Sequence, residues 1–228
     1  MSVAERIREV KNRIVNAAKR ADRDPKDIVL VAVTKGVEVE RIKEALAAGI
    51  RTFGESRVQE AGPKLKVLGK AASWHFIGHL QKNKVKYIAG EVDLIHSVDS
   101  IALCEEISLR AQKRGIVQNI LLEVNISGEK GKFGLPPHEV MNTVRAATRL
   151  KDVSLKGLMM IPPFSDDPED SRPFFHRLRE LRDEMTGFGI CPDGFSELSM
   201  GMSGDFEIGI EEGATLVRIG TAIFGQRG

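Results

Sequence analysis

The sequence predicts a closed (β/α)8 barrel, a single domain spanning residues 1–228. Three observations predict it. Short apolar, β-branched runs alternate with segments of helical apolar spacing along the chain, the mark of parallel strands joined by right-handed crossovers. Eight such runs can be counted, with a helical segment in front of the first and one in each of the seven gaps. The turn after the first run, Thr34-Lys35-Gly36-Val37, lacks the glycine-rich pattern of an open doubly wound sheet.

The elements follow in order. Val3, Ile7, Val10 and Ile14 form one apolar stripe of a helix over 3–20. IVLVAVTK (28–35) is a continuous apolar run that suits a strand buried on both faces. Val39, Ile42 and Leu46 restore helical spacing, closed by Gly49. Further strands are expected at RTFGES (51–56), SWHFIG (73–78), VDLIHSVD (92–99), NILLEVNIS (119–127), SLKGLMMIPP (154–163), SELSMG (196–201) and TLVRIGTAIFG (215–225). Between them, helical stripes run through Ile101, Cys104, Ile107 and Ala111, through Val140, Val144 and Ala147, and through Phe174, Leu178, Leu181 and Met185. Nothing after strand eight is left to supply its helix, so the N-terminal helix is expected to complete the outer ring. SGEKGKFGLPP (127–137) and PPFSDDPED (162–170) read as loops on the barrel face, polar and rich in Gly or Pro, and so as candidate lids.

Composition narrows the function classes. Lys and Arg number 34 against 32 Asp and Glu, a net charge of +2, which gives no electrostatic argument for a nucleic-acid or membrane partner. No apolar run nears the roughly 20 residues that span a bilayer. The start MSVAERIREVKNR has no signal-peptide pattern, so a cytoplasmic protein is expected. Cys104 and Cys191 lie far apart with no CxxC, which argues against a disulfide framework or a zinc cluster, and no paired-His spacing supports another metal.

In this fold, chemistry is expected at the C-terminal ends of strands. Lys35 ends the first apolar run. Removing a lysine from water favours its free amine, the form that attacks carbonyl carbon; the plainer reading is a solvated lysine opening a loop. Ser199-Met200-Gly201-Met202-Ser203-Gly204-Asp205 follows strand seven, and Gly220-Thr221 closes strand eight. Loops after these two strands recurrently bind phosphate through backbone N–H groups, although Gly and Ser are also ordinary turn residues. Arg218 sits inside an apolar strand and must find an acceptor. It could pair with Glu207 or Glu211, or donate to a ring nitrogen of a ligand. His75 and His96, taken singly, read as hydrogen-bonded core groups. HLQKNKVK (79–86) reads as the solvated start of a basic helix. No Walker motif is present, and GMSGD is not a GxSxG elbow.

A lysine after strand one, phosphate loops after strands seven and eight and an arginine in strand eight form a known combination. The sequence resembles the pyridoxal phosphate homeostasis protein family, relatives of the alanine racemase N-terminal barrel. The resemblance runs through VAVTK (31–35), FGESRVQE (53–60), WHFIGHLQKNK (74–84), EVNISGEKGKFGL (123–135), GLMMIPP (157–163), RPFFHRLRELRDE (172–184) and LSMGMSGDFEIGIEEGATLVRIGTAIFG (198–225). It covers nearly the whole chain in order. It departs at Ser56, usually Asn, at Gly204, often Asp, and at Met160, more commonly Thr.

The resemblance implies a fold-type III barrel that holds pyridoxal 5′-phosphate as an internal aldimine on Lys35. It further implies Ser56, His75, Ser199, Met200, Gly201, Ser203, Arg218, Gly220 and Thr221 as cofactor-binding residues. An arginine facing the pyridine nitrogen leaves that nitrogen unprotonated and weakens the ring as an electron sink. The implied function is a carrier and regulator in intracellular vitamin B6 and amino-acid balance, with little or no catalysis and no catalytic residue assigned. Pyridoxal phosphate is its ligand, pyridoxal-phosphate-dependent apoenzymes are its candidate recipients, and it is expected as a monomer or weak dimer. Two other readings remain. A pyridoxal-dependent racemase needs a second proton-transfer group opposite Lys35; the related racemase uses a tyrosine supplied with a following domain, whereas this chain ends at Gly228 and its single Tyr87 is expected in the helix after strand three. A Schiff-base aldolase shares the barrel, lysine and phosphate site, but its lysine usually lies on a later strand.

Overall fold

A computed structural model describes residues 1–226. Eight parallel strands pair in sequence order and close: β1 (Val29–Val33), β2 (Thr52–Glu55), β3 (Ser73–Phe76), β4 (Leu94–Val98), β5 (Gln118–Glu123), β6 (Val153–Met159), β7 (Glu197–Ser199) and β8 (Leu216–Ile219), which pairs back onto β1. Each strand is shorter than its apolar run, because the run continues into the loop that leaves the barrel.

Around it lie α1 (Val3–Arg20), α2 (Val39–Ala47), α3 (Val58–Leu68), α4 (Ile101–Arg114), α5 (Pro137–Ala147), α6 (Arg172–Gly187), α7 (Phe206–Glu211) and α8 (Thr221–Phe224). Helix α1 begins with a capping box, in which the Glu5 N–H donates to Ser2 Oγ and the Ser2 N–H donates to Glu5 Oε2. Its buried stripe, Val3, Ile7, Val10, Ile14, Ala17 and Ala18, packs on α2, α7 and α8. Arg13 and Arg20 pair with Glu207 and Glu211 of α7. The N-terminal helix therefore closes the ring where the last units meet the first.

Three expectations need correction. Strand eight does have a helix of its own, the single turn α8. Between β3 and β4 there is a 3₁₀ helix, Lys82–Tyr87, instead of an α-helix. In α6 the buried aromatic is Phe175, with Phe174 only half-buried, so the stripe starts one residue later than the spacing suggested.

Two layers of side chains fill the barrel interior. Val31, Leu94, Leu121, Met159 and Leu216 form an apolar plug. Two residues further along their strands, one step nearer the C-terminal mouth, stand Val33, His96, Glu123 and Arg218. The interior thus changes from apolar to polar within one repeat of the pleat. The β5–β6 register shifts between Ile120 and Leu121, and opposite it Gly157 lies so near β7 that a Cβ would sit 1.9 Å from the Glu197 carbonyl oxygen.

Candidate functional site

The mouth holds a cavity of about 550 Å³. Val33 at the end of β1, Arg218 in β8, Gly220 and Thr221 at the start of α8, Met202–Asp205 after β7 and Pro162–Asp166 after β6 line it, with Lys132 reaching in from the loop after β5. Both glycine- and proline-rich loops singled out in the sequence therefore stand over one opening. The rim is apolar: Phe164 is 92% exposed and Ile161 41%. Phe133 stacks on His79, ring centroids 3.7 Å apart.

The loops after β7 and β8 meet. Ser203 Oγ accepts from the N–H groups of Gly220 and Ala222, both at 3.3 Å. Gly201 has φ +89°, and a Cβ there would lie 2.8 Å from Phe206 Cα, so only glycine permits this close turn. Asp205 folds back, accepting from the Met202 N–H at 2.6 Å and from Ser171 Oγ at 3.0 Å. The Met200 side chain is fully buried in the hydrophobic core.

Arg218 is 4% exposed. It does not pair with Glu207 or Glu211, which are taken by Arg13 and by Arg20 and Arg172. It donates to Ser199 Oγ at 2.6 Å and to the Met160 carbonyl at 2.8 Å. A guanidinium has five N–H donors, so three are left for the cavity. Burial pulls its pKa down to about 10, partly opposed by attraction to Glu123 and Asp205.

The two histidines are not single core groups. His96 Nδ1 lies 2.8 Å from Ser199 Oγ, and His96 Nε2 lies 2.9 Å from His75 Nδ1. Arg218 can only donate, so Ser199 Oγ accepts from it, and the Ser199 hydroxyl proton is free to go to His96. With that proton pointing at His96 Nδ1, a neutral His96 donates from Nε2 to His75 Nδ1 and the His75 proton is on Nε2. Burial lowers the pKa of His75 to about 4 and that of His96 well below its ordinary value, with His75 and Arg218 adding to the second effect. Both rings are neutral near pH 7. Glu123 is pushed the other way, up to about 7, by burial; Arg218 opposes the rise and Asp99 adds to it.

Lys35 follows β1 and is half-buried. It does not itself line the cavity, which its strand reaches through Val33. Ser56, at the end of β2, has a buried hydroxyl with no hydrogen-bond partner among the described residues. Next to Lys35 is a cluster the sequence did not flag: Lys64, 6% exposed, bonds to Glu55, to Glu60 and to the Thr34 carbonyl. The i, i+4 spacing of Glu60 and Lys64 was the available signal.

The mouth thus combines backbone and hydroxyl donors at β7–β8, a buried cation with unspent N–H groups, and an amine at the end of β1. That arrangement suits a ligand with an anionic group, a ring acceptor and an electrophilic carbon. The family model for the alanine racemase N-terminal domain matches residues 6–228. The chain is 46% identical over 229 residues to the pyridoxal phosphate homeostasis protein of Aquifex aeolicus, covering 100% of this chain and 99% of that one. It belongs to that family. Among solved structures of the family, PipY of Synechococcus elongatus with PLP bound superposes with a TM-score of 0.85 at 33% identity, covering 98% of this chain and 100% of that one. An alanine racemase of Clostridium difficile shares the fold alone, with a TM-score of 0.77 at 16% identity over 98% of this chain and 57% of that one. No helix among the described residues is long and apolar enough to cross a membrane.

Proposed function

We propose that this protein holds pyridoxal 5′-phosphate at its barrel mouth through Lys35 and serves intracellular vitamin B6 homeostasis as a carrier instead of an efficient catalyst. One observation carries the reading: Arg218, buried and without a carboxylate partner among the described residues, has three N–H donors to spare at the cavity wall. The names of the relatives and the PLP-bound PipY support it.

The residues fit the group. Ser203, Gly204, Gly220 and Thr221 offer a glycine- and hydroxyl-rich cup for the phosphate, and the Ser56 hydroxyl supplies a donor that no described residue uses. When bound, pyridoxal phosphate supplies an aldehyde carbon and a ring that draws electrons once its nitrogen is protonated. Lys35 Nζ would be the amine that bonds to that carbon, the aldehyde oxygen leaving as water. Arg218 donates to the ring nitrogen and, having no proton to give up, keeps it from being protonated. Ser199, His96 and His75 hold Arg218 in place. Tyr87 lies on the outer wall, 52% exposed beside Lys84 and Lys86, where it cannot serve as the opposing base of a racemase.

The test is an absorbance titration with pyridoxal 5′-phosphate. Wild type is expected to form a coloured adduct that borohydride fixes to Lys35, and Lys35→Ala to form none. An adduct of equal strength in Lys35→Ala, or none in wild type, would overturn the reading.

A further inference from the structure

Resting on the reading that Lys35 is the bonding amine, we infer that the Glu55–Lys64–Glu60 cluster is a positioning device that aims Lys35 at the cofactor's aldehyde. Lys35 itself has no hydrogen bond or ion pair among the described residues. Both of its chain neighbours are held. The Thr34 N–H donates to the Gly54 carbonyl at 2.9 Å, its hydroxyl donates to Glu55 Oε2 at 2.9 Å, and its carbonyl accepts from Lys64 Nζ at 2.7 Å. The Gly36 N–H donates to Glu60 Oε2 at 2.7 Å, with Gly36 in the left-handed region at φ +68°. The backbone on either side of Lys35 is therefore tied to the same carboxylate–ammonium group.

The group is saturated. Lys64 Nζ has three protons and three acceptors: the Thr34 carbonyl, Glu55 Oε2 at 2.7 Å and Glu60 Oε2 at 2.9 Å. Glu55 Oε1 accepts from the N–H groups of Ser56 and Arg57, and Glu60 Oε1 from the Arg57 guanidinium at 2.9 Å. Ser56 is the residue with the unpartnered hydroxyl, so one carboxylate fixes both the lysine turn and that donor. The consequence is a division of labour between two lysines a few residues from the same opening. Lys64 is committed on every proton and cannot act as a nucleophile. Lys35 is free at its amine and fixed at its root, which is what a group that must meet a small electrophile needs.

Fixing the root matters for the rate of bond formation, not for holding the phosphate, whose candidate donors stand in the loops after β7 and β8. The test separates these. Full-length wild type, Lys64→Met and Glu60→Gln are each titrated with pyridoxal 5′-phosphate, reading the rate of adduct absorbance, and with pyridoxine 5′-phosphate, whose alcohol cannot bond to an amine, reading affinity by fluorescence competition. Lys64→Met is expected to slow the adduct about tenfold or more, while pyridoxine 5′-phosphate affinity stays within about twofold. Glu60→Gln keeps an acceptor for the Gly36 N–H, is expected to slow the adduct less, and serves if Lys64→Met does not fold. Unchanged adduct rates would overturn the inference. So would a parallel loss of both readouts, which would mean that the cluster merely supports the whole mouth. Failure of the cofactor reading is seen separately, in wild type alone, as no adduct with pyridoxal 5′-phosphate.

Discussion

Beside β1 and β2, the buried Lys64 and Glu55 and the half-buried Glu60 form ion pairs at 2.7–2.9 Å. Inside the barrel, on β3, β4, β7 and β8, His75, His96 and Ser199 are buried as neutral groups around Arg218, a cation with no ion pair among the described residues. In the first region burial would raise the Glu60 pKa, but hydrogen bonds from Lys64, the Gly36 N–H and Arg57 outweigh it and hold the carboxyl at about 2. In the second, burial dominates and shifts every group toward its neutral form. The same barrel end therefore uses pairing where it needs rigidity, and desolvation where it needs an unsatisfied donor for a ligand. A fully paired cluster has nothing left to offer a ligand. A lone buried cation does, at some cost to the unliganded fold.

Removing one member of each region tests this contrast most strongly. Glu55→Ala leaves Lys64 and two backbone N–H groups short of partners and is expected to cost about 3–5 kcal/mol by denaturant unfolding. Arg218→Met loses bonds to Ser199 and Met160 but also removes a solitary buried charge, so about 1–3 kcal/mol is expected. A larger loss for Arg218→Met than for Glu55→Ala would break the comparison.

The second region also predicts opposing pH dependences. Glu123 has a folded pKa of about 7 against an ordinary 4.5, so the folded state binds more protons between those values. Its contribution is present below pH 4.5 and lost as pH rises through 7. His75 is depressed from 6.5 to about 4, so the unfolded state binds more protons there, and stability is lost as pH falls through that window. The two nearly cancel in wild type. In Glu123→Gln the carboxyl's part is gone, and its stability relative to wild type is expected to improve by about 2 kcal/mol between about pH 5 and pH 8. A constant difference across that range would mean that Glu123 is not held in its neutral form. The smallest expected effect is Ser203→Ala. It frees the N–H groups of Gly220 and Ala222, costs about 1 kcal/mol, and is expected to weaken phosphate binding more than stability.

Several candidate site residues were legible because their chemistry is local. Lys35 stood at the end of an apolar run, and Ser203, Gly220 and Thr221 fell in loops whose place follows from counting strands. Arg218 was conspicuous as a charge inside a strand, although its partner was not: Glu207 and Glu211 are near in sequence but face α1 and α6. His75 and His96 read as separate core groups because nothing in a sequence shows that β3 and β4 bring them to 2.9 Å. Lys64 was not singled out, because its partners Thr34 and Glu55 meet it only in the folded chain. Met200, in the middle of a loop motif, turned its side chain outward into the core.

By itself the sequence determined the order of strands and helices, the closure implied by eight units, and the end of the barrel where chemistry belongs. These follow from periodicity and from the handedness of the crossovers, both properties of short stretches of chain. Only the tertiary structure decided which polar groups meet. Strands β4 and β7 are not neighbours in the sheet, yet their side chains touch across the barrel interior, and the Lys64 ammonium on α3 reaches the Thr34 carbonyl 30 residues earlier. Such contacts depend on where inward-pointing side chains fall when the sheet closes. So too does whether a buried charge is paired or left for a ligand.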